Sequence, residues 1–507
     1  MDSQLYQKEF GDYQTPTDLA KQISELLASQ GVSPKSVIEP SCGQGSFITA
    51  AAMEFTSCEK ILGFELNPNY VQQARQRIDR AAFRSTLSVE IQHADFFKTD
   101  WIAVLNSVPH PALVLGNPPW ITNAALSLMK SSNVPPKTNF QSRKGFAALT
   151  GKSNFDISEW MLIRLLEALN ETRSGHLAML CKLSSARKTL RHAWTSGIRT
   201  TRSEIRLIDG KEHFGISATA CLLNIQVGSA DNGRECPVYS SLLSSTDDRV
   251  LGIQNNELIG DIEAYRNTMD IDGQSYLRWR SGLKHDASKV MELTRQQDRF
   301  VNGFGQEVDI EKDYVYPLLK SSDVANGRLE AKRYVIVTQT NPGSDTETVA
   351  ISAPKTWNYL LQHADILDGR RSSIYKRRAR FAIFGIGDYS FAPWKVAISG
   401  LYKVVRFLAI PPVDDKPVML DDTCYFVACR DENEAVLLAQ ILNSEPAIRF
   451  MKSLMYIDDK RPVNSDLLNR MNIKTIAEKI GVLESLEEFL PNISANIDQQ
   501  NQFVFEH

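Results

Sequence analysis

The stretch Ser36-Val37-Ile38-Glu39-Pro40-Ser41-Cys42-Gly43-Gln44-Gly45-Ser46-Phe47 decides the fold. A short strand, 36–39, runs through a proline and two glycines into a helix that starts at Ser46. That is a buried strand turning tightly into a helix. Glycines at such a turn let the backbone approach a nucleotide-like ligand closely, although a plain tight turn has the same composition. Position 48 is Ile rather than Gly or Ala, which excludes the dinucleotide fingerprint of dehydrogenases.

The same grammar repeats on either side. Residues 15–29 read as a helix capped by Thr15, with Pro16 in its first turn and Leu19, Ile23, Leu26 and Leu27 on one face. Downstream, strand 61–65 ends at Glu65, strand 87–91 leads to Asp95-Phe96, and strand 112–115 runs into Asn117-Pro118-Pro119-Trp120. Helix 157–170, strand 176–180, helix 185–194 and strands 204–208 and 219–225 follow. Alternating strands and helices, with polar residues at the strand ends, predict an α/β domain with a mostly parallel sheet and a site along one edge. Gly228-Ser229-Ala230-Asp231-Asn232-Gly233 reads as a linker. Beyond it lie short β-like runs and late helices near 433–455 and 474–489. Two domains are therefore expected, 1–228 and 236–507, the second mixed α+β.

Composition excludes several classes. The chain has 507 residues, 43% apolar and 23% charged, with a net charge of −3. No run of 18 apolar residues marks a membrane span, and the polar start lacks a signal peptide's apolar stretch, so a cytoplasmic enzyme is expected. Seven scattered cysteines favour neither a disulfide framework nor a zinc site, and no metal is expected. The near-neutral total hides an asymmetry. Residues 369–407 carry nine Lys or Arg against the single acid Asp388, so the remaining 468 residues sum to −11. Aromatic residues interleave with Arg370, Arg371, Lys376, Arg377, Arg378 and Arg380, a pattern that suits phosphates and bases. A second basic stretch, 131–153, follows the fourth strand and contains Lys137, Arg143 and Lys144 without an acid. Its Gly-Lys-Ser is not a phosphate-binding P-loop, because the glycine spacing is wrong and no strand leads into it.

The strand ends carry the chemistry. An acid such as Glu65, 20 residues beyond Gly45, can accept both hydroxyls of a ribose. Asp95 can accept from an adenine amino group, and Phe96 can pack on the ring. In Asn117-Pro118-Pro119-Trp120 the prolines fix two φ angles and remove two N–H donors. The Pro118 carbonyl and the Asn117 side-chain oxygen then form a two-acceptor receptor for a planar exocyclic amine, with Trp120 as a stacking plane.

With these motifs in this order, the chain resembles the gamma-class N6-adenine DNA methyltransferases of bacterial restriction–modification systems. Gly11-Asp12-Tyr13-Gln14-Thr15-Pro16, then Glu39 to Phe47, then Glu65, Asp95-Phe96 and Asn117 to Trp120 match that family's motifs, over about residues 8–228. The resemblance implies a Rossmann-like S-adenosylmethionine-dependent catalytic domain followed by a target-recognition domain. By it, Thr15 and Pro16 would hold the methionine end of S-adenosyl-L-methionine. Glu39, Pro40 and the Gly43–Gly45 backbone would line the cofactor loop. Glu65 would take the ribose, and Asp95 and Phe96 the adenine. Asn117, Pro118, Pro119 and Trp120 would act on a flipped-out base in double-stranded DNA, and Phe214 would supply a second stacking ring. A separately encoded restriction endonuclease acting on the same site is the implied partner, with no membrane and no required oligomer. The same motif chemistry also leaves open an RNA or protein-glutamine methyltransferase, or a bifunctional restriction–modification protein.

Overall fold

The computed structural model describes residues 13–120, 156–172, 174–216, 218–229, 233–376, 378–456 and 458–489. Two units follow one another, residues 1–263 and 264–507. In the first unit the elements are α1 (Thr17–Ser29), β1 (Ser36–Glu39), α2 (Ser46–Glu54), β2 (Lys60–Glu65), α3 (Pro68–Asp79) and β3 (Ser88–His93). Then come α4 (Trp101–Asn106), β4 (Ala112–Gly116), α5 (Ile157–Thr172), β5 (Gly175–Lys182), α6 (Leu183–Thr195) and β6 (Thr200–Ile208). The unit ends with α7 (Gly210–Phe214), β7 (Ala220–Val227), β8 (Glu235–Tyr239), β9 (Asp247–Gln254) and β10 (Glu257–Ile259).

The ten strands form one sheet in the order β10-β9-β8-β6-β7-β5-β4-β1-β2-β3. The run β5-β4-β1-β2-β3 is parallel throughout. β7 then lies antiparallel between β5 and β6. Alternate residues of each strand enter opposite cores. Val37, Ile61 and Leu113 pack with α1 and α2, whereas Ile38, Leu62 and Val114 pack with α4, α5 and α6. A strand covered on both faces has no polar side to show, hence the nearly unbroken apolar runs in the sequence. Because β1 to β4 are mutually parallel, the residues that follow them, Pro40, Leu66, Ala94 and Asn117, all emerge at one edge.

Local chemistry fixes the turns at that edge. Gly45 caps α2 with φ of +80°, a left-handed conformation that glycine adopts without cost. Asn67 caps α3, its side chain accepting from the Asn69 N–H at 3.0 Å, and Pro68 occupies the first turn. The expected cap of α1 is not made. The helix begins at Thr17, Pro16 is the N-cap residue with no side-chain cap, and Thr15 lies outside the helix.

The domain boundary expected at 228–236 is also corrected. β8 adds to the same sheet, parallel to β6, and β9 and β10 extend it, so the first unit continues to residue 263. A Gly- and Asn-rich connection between neighbouring strands has the same composition as an interdomain linker. The second unit is mixed, as expected, with a six-stranded and a four-stranded sheet. Its helical stretch near 433–455 is two helices, Glu432–Leu442 and Glu445–Leu454, separated where Pro446 opens the second. No described helix is long and apolar enough to cross a membrane.

A chain ending at residue 263 is expected to unfold cooperatively in urea. One ending at 228 loses β8 to β10, leaves the β6 edge unpaired, and should aggregate or unfold at lower urea. Equal midpoints for the two would place the boundary back at 228.

Candidate active site

A cavity of about 530 Å³ opens at the shared strand edge, within the range of cofactor pockets. Thr15, Glu39, Pro40, Gly43, Glu65, Asp95, Phe96, Asn117 and Pro119 all line it, so the structure gathers most of the sequence-derived site around one space. Pro16 is exposed, and neither it nor Gly45 is among the lining residues; Gly45 instead sets the turn.

Its lining contains three carboxylates and, among the described residues, no Lys or Arg. Glu39 is buried, and its Oε2 accepts from the Ile48 N–H in the first turn of α2 at 3.1 Å. Burial pushes its carboxyl well above the ordinary range, outweighing that hydrogen bond. Glu65 accepts the Gly43 N–H on one oxygen and the Asn67 N–H on the other, each at 2.8 Å. Those two donors hold the carboxylate rigidly at the cavity wall. Asp95 accepts the Phe97 N–H at 3.0 Å through Oδ1, while exposed Lys98 lies 3.4 Å from Oδ2. Phe96 is mostly core, tilted against Trp101 with centroids 4.7 Å apart. Its neighbour Phe97 also lines the cavity.

Two residues whose roles sequence reasoning missed shape the opposite wall. Gln14 accepts the Gln44 N–H at 3.1 Å and closes on Gly43, where an added Cβ would meet its Oε1 at 2.4 Å. Tyr13 acts through its backbone, its carbonyl accepting from Asn117 Nδ2 at 2.9 Å. That bond orients the amide. Asn117 Oδ1 is left buried and, among the described residues, accepts no hydrogen bond. Among the described residues nothing donates to the Pro118 carbonyl. A buried unpaired acceptor costs about 1–3 kcal/mol.

Phe214 does meet Trp120, with centroids 5.0 Å apart and planes at 64°. Tyr13 completes the cluster, 6.0 Å from Trp120 and 6.3 Å from Phe214. The arrangement differs from an open stacking slot. Trp120 is only 5% exposed. A base sandwiched between two rings would need parallel planes about 7 Å apart, twice the ordinary carbon–carbon contact.

The family model described as N-6 DNA Methylase matches residues 3–186. The type II methyltransferase M.NspV of Nostoc sp. is 41% identical over 474 residues, covering 93% of this chain and 98% of its own. This chain belongs to the N-6 DNA methylase family. MmeI, a type IIL restriction-modification enzyme solved in complex with DNA, shares the fold with a TM-score of 0.53 at 14% identity. That likeness covers 92% of this chain and 66% of MmeI.

N-6 DNA methylases take their methyl group from S-adenosylmethionine. The cavity fits such a molecule on its own chemistry. A wall whose charged groups, among the described residues, are all acids suits a ligand that carries an ammonium and a sulfonium, and Glu65, positioned by two backbone donors, suits a diol. Among the described residues no cluster of His, Cys, Asp and Glu could hold a metal ion.

The basic residues expected to hold DNA divide into three groups. Lys137, Arg143, Lys144 and Arg377 lie outside the described residues. Arg370 and Arg380 are engaged by other residues of the chain. Arg370 donates to the carbonyls of Leu367 (2.7 Å), Ala382 (2.8 Å) and His285 (3.2 Å), and Arg380 pairs with Asp368 at 2.7 Å. Arg371, Lys376 and Arg378 remain exposed. Lys395, from the same basic run, is buried, donates to the Ala392 carbonyl, and burial pushes it down to about 7.

Glu39 gives a pH prediction. A carboxyl whose folded pKa lies above its unfolded value contributes stability present below about pH 4.5 and lost as pH rises through the folded pKa. The cofactor-free protein should therefore lose melting temperature over that window, while Glu39→Gln should not. Parallel melting curves of the two proteins from pH 4 to 8 would contradict this.

Proposed function

We propose that this N-6 DNA methylase transfers a methyl group to the N6 amine of a flipped-out adenine in duplex DNA, as the site-specific modification enzyme of a restriction–modification system. The observation that carries the proposal is the buried Asn117 Oδ1, unpartnered among the described residues, beside an acid-lined cavity. The M.NspV relationship, with its type II methyltransferase name, favours DNA over RNA or protein as the substrate.

S-adenosylmethionine supplies an electrophilic methyl group when bound. Glu65 receives the ribose hydroxyls, Asp95 the adenine amino group, and Phe96 and Phe97 flank the ring. Thr15 and Glu39 serve the methionine end, where an ammonium would draw the Glu39 carboxyl back toward its charged form. Pro40 and Gly43 complete the cofactor loop.

An exocyclic aromatic amine is a poor nucleophile because its lone pair is delocalised into the ring. Asn117 Oδ1 and the Pro118 carbonyl accept its two N–H groups, enriching the nitrogen and favouring a tetrahedral geometry. Pro119 fixes the backbone between them and Trp120. Positioning and electrostatics carry the rate. Leaving the duplex stack costs the base a few kcal/mol, and stacking on Trp120 returns about 1–3. Stacking requires Phe214 to swing off Trp120, so the aromatic cluster opens as the base enters. The second unit serves as the target-recognition domain, and exposed Arg371, Lys376 and Arg378 are its phosphate contacts. A separately encoded endonuclease, no required oligomer and a place in the bacterial cytoplasm belong to the same proposal.

Asn117→Ala should lower single-turnover methylation by about 10²–10³-fold, the scale for losing one preorganised polar group. S-adenosylmethionine affinity, measured by calorimetry, should change little; wild-type turnover would remove Asn117 from the receptor. Replacing Arg371, Lys376 and Arg378 together with Gln should flatten the logarithmic salt dependence of DNA binding by up to about 2.7, at about 0.9 per phosphate contact. An unchanged slope would move the DNA surface elsewhere.

A further inference from the structure

Lys182, the last residue of β5, is absent from every role assigned above. β5 runs parallel to β4 with Met179 opposite Gly116, so Lys182 emerges at the same edge as Asn117 to Trp120. Its Nζ donates to the Trp120 carbonyl at 3.3 Å and forms an ion pair with Asp156 Oδ2. The other carboxylate oxygen, Oδ1, accepts from the Ser158 N–H at 3.0 Å and the Ser158 hydroxyl at 2.7 Å, at the start of α5. Asp156 is buried, and its carboxylate is fixed from both sides. The ammonium that it anchors is held in place in turn.

We propose that Lys182 is a positioning residue for methyl transfer, acting through the Trp120 backbone on the amine receptor; this rests on the proposed role of Asn117 and Pro118. The geometry is that of a short chain pinned at both ends. At its start, Asn117 is held by its Nδ2 bond to Tyr13 and by a bond of 3.3 Å from the Ser41 hydroxyl to its carbonyl. At its end, Lys182 holds the Trp120 carbonyl. Between them the two proline rings fix φ, which leaves few free torsions. Releasing the Trp120 carbonyl lets the Pro118 carbonyl and the indole plane drift together. A displacement of about 1 Å at a reacting centre costs on the order of 10²-fold in rate. Lys182 is not among the residues that line the cofactor cavity, and its side-chain hydrogen bonds to described residues go to Trp120 and Asp156, so cofactor affinity should not depend on it.

The test is single-turnover methylation by the full-length protein, with S-adenosylmethionine affinity and melting temperature measured alongside. Lys182→Met should lower the rate about 10–100-fold with cofactor affinity within twofold of wild type, and Lys182→Arg should restore most of the rate. Asp156→Asn, which keeps the shape and removes the anchoring charge, should lose rate in the same way. It supplies the result if Lys182→Met does not fold. The double variant should be no slower than the worse single one, because the pair acts as one unit. Wild-type rates in Lys182→Met, or in Asp156→Asn where that variant stands in, overturn the proposal. So does a rate loss matched by equal loss of cofactor affinity and melting temperature. Asn117→Ala in the same assay separates the two readings. If it too is wild type, the receptor itself is misassigned. If it is dead while Lys182→Met is not, only the role of Lys182 falls.

Discussion

The hydrogen bond from the Asn117 side chain to the Tyr13 carbonyl is the constraint on which the site depends. It engages the amide nitrogen and points the acceptor away, leaving Oδ1 buried without a partner among the described residues. Such an atom is tolerated because its surroundings are over-determined. β4 is paired on both sides by parallel neighbours, and its residues 112–116 are fully buried. The unmet hydrogen bond costs about 1–3 kcal/mol of stability in the free protein, and a donor at that position recovers it.

The rest of the site follows from strand polarity. Because β1, β2, β3 and β4 are parallel, Glu39, Glu65, Asp95 and Asn117 converge without long loops to carry them. Backbone N–H groups then set the carboxylates: Ile48 on Glu39, Gly43 and Asn67 on Glu65, Phe97 on Asp95. Burial raises the cost of ionising Glu39, and the neighbouring Glu65 carboxylate adds to it. A cationic ligand relieves that arrangement. The Tyr13, Trp120 and Phe214 cluster keeps the neighbouring aromatic surface covered in the free protein.

Much of this was legible in the sequence, for identifiable reasons. The apolar runs at 36–39, 61–65 and 112–115 stood out because strands buried on both faces have no polar alternation. Asn117 to Trp120 stood out because two consecutive prolines remove donors whatever the surroundings. The role of Tyr13 is hidden from the sequence, since it acts through a main-chain carbonyl, which every residue possesses. Lys182 was invisible because its two partners, Trp120 and Asp156, are 62 and 26 residues away in the chain. The boundary at 228 failed because Gly and Asn mark loops, and a loop inside a sheet looks like one between domains. The internal partners of Arg370 and Arg380 are hidden from the sequence for a related reason. A count of charges cannot see that one guanidinium is spent on carbonyls and another on Asp368.

The central claim is that the receptor at Asn117 and Pro118 presents an adenine amine for methylation. Identifying the methylated nucleoside tests it most directly. Duplex DNA incubated with the protein and methyl-labelled S-adenosylmethionine would be digested to nucleosides and resolved by liquid chromatography with mass spectrometry. The account predicts label in N6-methyldeoxyadenosine alone. Label in N4-methyldeoxycytidine or 5-methyldeoxycytidine, or no label in the DNA at all, would contradict it.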